Sequence, residues 1–283
     1  MKPHWPAVAI VGVGLIGGSV GRALRARRLA KRVVGVGRSA AGLEAARHAG
    51  AVTETARDLA AGVADVDVVV VAAGVAAIPE LLDEIDAAAR PGTLVTDAGS
   101  TKGTIVATWE RRRKSRRCRF VGAHPIAGSH RRGAAAAEPD LFAGRVTVVT
   151  PGPRTPAADV EAVGDFWAAL GSTVFVMPPR DHDRILALTS HAPHLVAAAL
   201  AAATPADALR FTAGGWRDST RIAAGDPELW ADILLDNAAA LGPAMKRVAG
   251  AIEKLLAAVA AGDRRKLVAL LAAAKEGRDA LGS

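Results

Sequence analysis

An α/β domain followed by an all-helical domain is the fold class this 283-residue sequence predicts. Three observations predict it. Short Val-rich runs alternate with helical stretches over the first half, the rhythm of a doubly wound sheet. Pro178-Pro179 then punctuates the chain, and beyond it come only Ala- and Leu-rich helical stretches. The length fits two domains of ~150 residues each.

The elements follow in order. Runs 7–11, 32–36, 66–72, 93–97 and 119–122 are expected as strands. They are apolar on both faces, as strands buried between two helical layers are. Helices are expected near 15–28, 40–48, 75–89 and 101–114. Strands at 146–150 and 173–177, flanking a helix near 157–169, complete the domain. The second domain is expected as helices over 181–203, 205–213 and 227–281. The expected division is therefore 1–178 and 179–283. The long terminal helix, rich in Ala and Leu, is expected to serve as a dimer interface.

Composition narrows the function classes. A chain 51% hydrophobic and 23% charged is not disordered, because it can bury enough apolar surface to offset ordering entropy. With only 4% aromatics and no Tyr, the core must be built from Ala, Val and Leu. The single cysteine, Cys118, excludes a disulfide framework and a cysteine-rich zinc site, and reads as an incidental thiol. No uninterrupted apolar run reaches the ~18 residues of a membrane span, and the N-terminus lacks a signal-peptide layout. A cytoplasmic protein with no membrane partner is expected. The net charge of +8 attracts small anions. Residues 111–119, RRRKSRRCR, concentrate that charge. No stacking aromatics interleave with it, so it reads as a solvated helix face and no nucleic-acid partner is expected.

The strongest local motif is Gly12-Val13-Gly14-Leu15-Ile16-Gly17, which follows a strand and opens a helix. In that context the first glycine permits a tight turn, the second lets backbone approach a pyrophosphate, and the third lets helix pack on strand. Gly12, Gly14, Leu15, Ile16 and Gly17 are thus expected to hold a dinucleotide at a helix N-terminus, in a Rossmann-like domain. An NAD site wants an acid at the end of the second strand, to bind the ribose 2′-OH. Here the strand ends Val36-Gly37-Arg38-Ser39. Arg38 and Ser39 suit a 2′-phosphate by charge and hydrogen bonding, which favours NADP. Arg38 stacked on the adenine would tolerate either cofactor, so NAD remains possible.

Two more clusters stand where strands end, the place where open α/β sheets bind ligands. Asp97-Ala98-Gly99-Ser100-Thr101-Lys102 follows one strand, and Gly122-Ala123-His124-Pro125-Ile126-Ala127-Gly128-Ser129 follows another. His124 is a candidate general base, since imidazole titrates near neutrality. Ser100 is a candidate to orient it or the substrate. The helical domain adds Ser190-His191-Ala192-Pro193-His194 and Arg217-Asp218-Ser219-Thr220-Arg221. His191 and His194, three apart, can share a helix face. With Asp181, His182 and Asp183 they form a loose metal-ligand set, but no H-E-x-x-H or cysteine pattern supports a metal. Arg221 can grip a carboxylate bidentately or pair with Asp218. Trp230 reads as core or pocket wall.

Taken together, GVGLIGGS, DAGSTKG, GAHPIAGS, SHAPH and GGWRDSTRIAAGDPELW resemble, in order, the prephenate and arogenate dehydrogenases of tyrosine biosynthesis. The resemblance spans nearly the whole chain. The glycine motif is widely shared; the later segments are far more specific. The family implies an oxidative decarboxylation of a cyclohexadienol. Hydride passes to NAD(P), and carbon dioxide leaves as the ring aromatises. It implies His124 as the base that accepts the ring hydroxyl proton, and Ser100 as the group orienting that hydroxyl and the histidine. It implies His194 and Arg221 as substrate-positioning groups, with Arg221 on a carboxylate, and His191 and Trp230 as pocket residues. It also implies homodimers formed through the helical domains. A glutamate often follows the HPxAGS segment in this family, whereas here His130 stands there. No appended regulatory domain or fused mutase is expected, so any feedback by tyrosine would have to act at the active site. The rival readings are a β-hydroxyacid dehydrogenase, which would use a lysine of the helical domain, and a non-enzymatic NAD(P)-sensing module.

Overall fold

The computed structural model describes residues 5–111, 115–128, 131, 133–280 and 282. Its strands are β1 (Trp5–Val11), β2 (Ala30–Val36), β3 (Glu54–Ala56), β4 (Val68–Val71), β5 (Leu94–Asp97), β6 (Arg119–Pro125), β7 (Val146–Thr150) and β8 (Thr173–Val176). They form one eight-stranded sheet in the order β3-β2-β1-β4-β5-β6-β7-β8. All neighbours pair parallel except β6 and β7, which run antiparallel.

The pleat divides each Val-rich strand between two cores, because successive side chains point to opposite faces. Val68 and Val70 join one buried cluster with Val8, Ile10, Leu24, Phe166 and Trp167. Val69 and Val71 join the other with Val11, Ile78, Leu82, Ile105 and Trp109. The first face is covered by α1 (Leu15–Ala26), α2 (Ala40–His48) and α6 (Ala157–Ala169). The second is covered by α3 (Leu59–Val63), α4 (Ile78–Ala88) and α5 (Gly103–Arg111). The sequence reading missed β3 and α3. Residues 54–56 are short, polar and unburied at the sheet edge, so neither apolar periodicity nor length marks them.

The helical part opens with α7 (Pro179–Leu186), a π-helical turn (Ala187–His191) and α8 (Ala192–Ala203). Together they make one helical run, Pro179–Ala203, long and apolar enough by length and composition to cross a membrane. Its sequence is broken by Arg180, Asp181, His182, Asp183 and Arg184, and it buries His182, Ala187, His191, His194 and Ala197 within the protein. Residues 206–211 form 3-10 turns rather than the expected α-helix. Next come α9 (Gly214–Thr220), which Gly214-Gly215 concealed, and a 3-10 turn at Arg221–Ala224. The stretch expected as one helix over 227–281 is three: α10 (Pro227–Asp236), α11 (Ala238–Ala260) and α12 (Arg264–Asp279). The last break has a local cause. Gly262 takes φ +62, and Asp263 caps α12 by accepting from the Lys266 amide at 2.9 Å.

Among the described residues of the basic run, Arg111, Arg117 and Arg119 are exposed, as a solvated face requires, but Arg116 is not. Within 111–119, residues 112–114 lie outside the described residues. The Arg116 side chain is only 7% exposed. Arg116 lies 4.2 Å over the Trp109 ring and pairs with Asp83 and Asp86. Arg119 pairs with Asp159 at 2.9 Å. The carboxylates of α4 and α6 gather these cations into the fold, a long-range arrangement that a charge count does not reveal. Cys118 is buried among them, and burial, with Asp86 beside it, pushes its thiol up to about 12.

Candidate active site

The glycine motif stands at the switch point of the sheet, where β1 lies between β2 and β4. Gly12 has φ +93, and a Cβ there would lie 2.4 Å from the Ala72 carbonyl oxygen. A Cβ on Gly17 would lie 2.0 Å from the Gly12 carbonyl oxygen. Gly14, by contrast, faces open space. It is the N-cap of α1, with no side-chain capping bond and no acid in the first turn. Open approach and uncapped amides at a helix N-terminus are what a pyrophosphate requires. Arg38 is exposed just beyond β2. The Ser39 hydroxyl caps α2, accepting from the Gly42 amide at 3.1 Å.

One cleft of about 420 Å³ joins this motif to the helical domain. Its lining includes Gly14, Leu15 and Ile16, Ser100 after β5, Ala127 and Gly128 after β6, and Trp230 from α10. A larger cavity of about 910 Å³ lies between α5, α7 and α11, and its lining includes Gly103, Asp183 and Asn237.

His124, half-buried near the end of β6, is anchored from two sides. On the sheet side, Asp97 and Lys102 form a fully buried ion pair. Asp97 accepts from the Ala123 amide at 3.1 Å and the Gly99 amide at 2.9 Å, and the Lys102 ammonium donates to the Ala123 carbonyl at 3.0 Å. This pair ties the Ser100 loop to the residue preceding His124. Burial draws the Lys102 ammonium below its ordinary value, against the pull of Asp97. On the helical side, His124 Nδ1 lies 2.9 Å from His182 Nε2, and His182 Nδ1 lies 2.8 Å from Asp183 Oδ1. Asp183 also accepts from the Lys102 amide at 2.8 Å and the Gly103 amide at 2.7 Å. These bonds dock α7 on the N-terminus of α5. Burial alone would raise the Asp183 carboxyl; the bonds from His182 and the two amides outweigh it and hold it below its ordinary value. Burial, reinforced by His182, Lys102 and His191, holds His124 well below the usual imidazole range.

The remaining expected residues sit around Trp230. His194 stacks on its indole, with ring centroids 3.6 Å apart and planes at 12°. Gly225 permits that stack, since a Cβ there would lie 2.3 Å from the indole nitrogen. His191 is buried 6.3 Å from the Trp230 centroid, its Nδ1 3.0 Å from the Asn237 amide nitrogen. Burial pushes its imidazole down to about 4. His194 is also lowered by burial. Arg221 is exposed and starts the 3-10 turn that leads to the lining residues Ala224 and Gly225. Among the described residues it makes no ion pair with Asp218. Ser129 and His130 lie outside the described residues.

The sequence reading placed His182 and Asp183 in a loose metal-ligand set that it did not favour, and named Asp97 and Lys102 only as parts of a loop. The structure gives these four the contacts that hold His124. The one available signal was their chemistry: an adjacent His-Asp pair opening a helix, and a Lys five residues after an Asp at a strand end.

Comparison with known proteins bears on what this cleft serves. A family model described as the nucleotide-binding domain of prephenate dehydrogenase matches residues 20–176. One described as its dimerization domain matches residues 178–273. The chain is 34% identical to prephenate dehydrogenase of Bacillus subtilis over 281 residues, covering 97% of this chain and 76% of that protein. It is 32% identical to cyclohexadienyl dehydrogenase of Zymomonas mobilis, covering 90% and 89%. Among solved structures, prephenate dehydrogenase from A. aeolicus in complex with hydroxyphenyl propionate and NAD+ superposes with a TM-score of 0.89. It is 28% identical, with 98% of each chain covered. Synechocystis arogenate dehydrogenase superposes with a TM-score of 0.82 at 28% identity, covering 97% and 99%. A 3-hydroxyisobutyrate dehydrogenase from Salmonella typhimurium, 16% identical with a TM-score of 0.60 over 86% and 88%, shares the fold alone. The β-hydroxyacid reading is therefore not favoured. An NAD(P)-binding domain joined to a dimerisation domain, with these relatives over nearly its whole length, establishes that the chain belongs to the prephenate dehydrogenase family.

Proposed function

We propose that the protein catalyses the oxidative decarboxylation of prephenate, or of arogenate, giving 4-hydroxyphenylpyruvate or tyrosine in tyrosine biosynthesis. The observation that carries this is one cleft lined by Gly14, Leu15 and Ile16 of the glycine motif, Ser100, Ala127, Gly128 and Trp230; His124 is not in that lining but precedes Ala127 by three residues at the end of β6. The work divides between a nucleotide-binding domain over 1–178 and a helical substrate and dimerisation domain over 179–283.

Gly12, Gly14, Leu15, Ile16 and Gly17 hold the cofactor pyrophosphate at the N-terminus of α1. Arg38 and Ser39 meet the ribose 2′ position, and the charge of Arg38 favours NADP over NAD. The cofactor held there would supply, when bound, a nicotinamide acceptor for the hydride of the ring carbon that bears the hydroxyl. His124 takes the hydroxyl proton, and Ser100 orients that hydroxyl. Burial keeps His124 uncharged at neutral pH, and only an uncharged imidazole can accept a proton. The new ketone draws electrons from the ring carboxylate carbon, and carbon dioxide leaves as the ring aromatises. His194 and Arg221 position the substrate, Arg221 through a carboxylate, while His191 and Trp230 wall the pocket.

The helical domain supports a homodimer. Phe211 and Leu235 are each 75% exposed, and Leu256, Val259 and Leu271 leave a further apolar face on α11 and α12. The Pro179–Ala203 run reads as a core helix of a soluble enzyme, since it buries His182, His191 and His194 inside the protein, and a cytoplasmic location goes with that reading.

The test is nicotinamide reduction by the purified protein with prephenate and with arogenate, each with NAD and with NADP. Turnover with either substrate is expected, faster with NADP. No turnover in any combination, from protein that binds a dinucleotide, rejects the assignment.

A further inference from the structure

Three histidines meet at the domain junction, and their partners fix which nitrogen of each carries hydrogen. Asp183 Oδ1, 2.8 Å from His182 Nδ1, can only accept, because the same carboxylate receives the Lys102 and Gly103 amides. Hydrogen therefore sits on His182 Nδ1, and the Nε2 of neutral His182 is an acceptor. With His182 in that state, His124 Nδ1, 2.9 Å away, donates to it. His124 Nε2 is then left with a bare lone pair. His191 has the opposite tautomer: the Asn237 amide donates to the Asp183 carbonyl at 2.9 Å and points at His191 Nδ1, leaving hydrogen on His191 Nε2.

We propose that His182 and Asp183 are positioning residues that fix the Nε2 lone pair of His124 for proton abstraction and carry the resulting positive charge away from the cleft. This deepens the proposed function and rests on His124 being the base. The step balances. The substrate O–H bond breaks and an Nε2–H bond forms on His124, while the oxygen electron pair becomes the carbonyl bond as hydride departs from carbon. The Nδ1–H bond of His124 breaks and an Nε2–H bond forms on His182. His182, with no exposed surface, then holds the charge against the Asp183 carboxylate. A carboxylate behind an imidazole fixes its tautomer and stabilises the imidazolium that forms. Without such a partner, His124 would hold a proton poorly. Burial opposes its charge, and the groups facing it are His182 from α7, Lys102 ahead of α5 and His191 from the π-helical turn. Among the described residues, the carboxylates bonded into this network are Asp183, reached through His182, and Asp97, already paired with Lys102.

The test uses the full-length protein labelled with 15N at histidine, without substrate. Long-range proton–nitrogen spectra near neutral pH are expected to show hydrogen on Nδ1 and a bare Nε2 at His124 and at His182, and the reverse at His191. Hydrogen on Nε2 of His124 overturns the proposal whether or not the protein turns over any substrate. His182→Gln separates the two roles. Its amide oxygen can accept from His124 and its amide hydrogens can reach Asp183, but it cannot take up a proton. It should leave the His124 tautomer unchanged and lower kcat by about 10- to 100-fold, with KM within about two-fold. A folded His182→Gln variant with wild-type kcat overturns the charge-carrying role. Asp183→Asn removes the negative charge, so the acid limb of kcat/KM should move to lower pH as kcat falls. An unmoved limb in folded protein counts against the proposal. Asp183 also docks α7 on α5, so its unfolding temperature is recorded, and if that variant does not fold, His182→Gln decides. Absence of nicotinamide reduction by the wild-type protein would reject the assigned reaction alone, leaving the tautomers to the spectra.

Discussion

The cofactor end and the proton-accepting end of the cleft are built in different ways. The glycine motif occupies six consecutive residues, and its geometry is enforced locally, by a Gly12 at φ +93 and a Gly17 pressed on the Gly12 carbonyl. The environment of His124 is assembled across the chain. His182 is 58 residues away in sequence, and Asp183 reaches the Lys102 amide across 81 residues. A contiguous motif can bind its ligand when one domain folds. The base depends on two domains docking. The two ends should therefore fail differently when mutated.

The largest effect is expected at the assembled end. His124→Asn should lower kcat by about two to four orders of magnitude, the span of a lost general base, while cofactor affinity measured by fluorescence titration stays at the wild-type level. An unchanged kcat would remove His124 from its role. Gly12→Ala should do the converse. A side chain at φ +93, 2.4 Å from the Ala72 oxygen, must distort the turn. Cofactor binding should weaken by about 10- to 100-fold, while the contacts around His124 persist. Arg221→Ala should raise KM by about 10-fold with kcat little changed, from loss of a charge-assisted contact to the substrate. Its normal KM would make Arg221 structural. Arg38→Ala should raise KM for NADP several-fold and leave KM for NAD nearly unchanged; equal effects on both would point to stacking on the adenine.

The smallest expected effect concerns pH and stability. His191 is held at about 4, and His124 and His194 are also lowered by burial. Each gains a proton more readily in the unfolded chain, where histidine titrates near 6.5. Between those values the unfolded state binds more protons, so stability should be lost as pH falls from about 6.5 toward 4. Scanning calorimetry should show the unfolding temperature dropping over that window. A flat profile would contradict the burial of these rings.

The same contrast explains what the sequence disclosed. β1, β2, β4 to β8 and the glycine turn were legible because apolar runs and a turn motif are local signals. β3 was not, since residues 54–56 depend on pairing with β2 rather than on burial. The breaks at Asn237 and Gly262 were hidden in an Ala- and Leu-rich stretch whose composition stays helical throughout. At the site, His124, Ser100, His191, His194, Arg221 and Trp230 came from motif residues with visible chemistry. His182 and Asp183 did not, because their roles exist only once α7 meets β6 and α5. The ion pairs of Arg116 and Arg119 were hidden for the same reason: their partners Asp83, Asp86 and Asp159 lie on other elements.

The most direct test of the central claim is the ratio of carbon dioxide released to nicotinamide reduced when the purified protein acts on prephenate. One carbon dioxide per nicotinamide, in a reaction that His124→Asn slows by at least about 100-fold, is the expected result. Nicotinamide reduction without carbon dioxide, or at an unaltered rate in that variant, would contradict it.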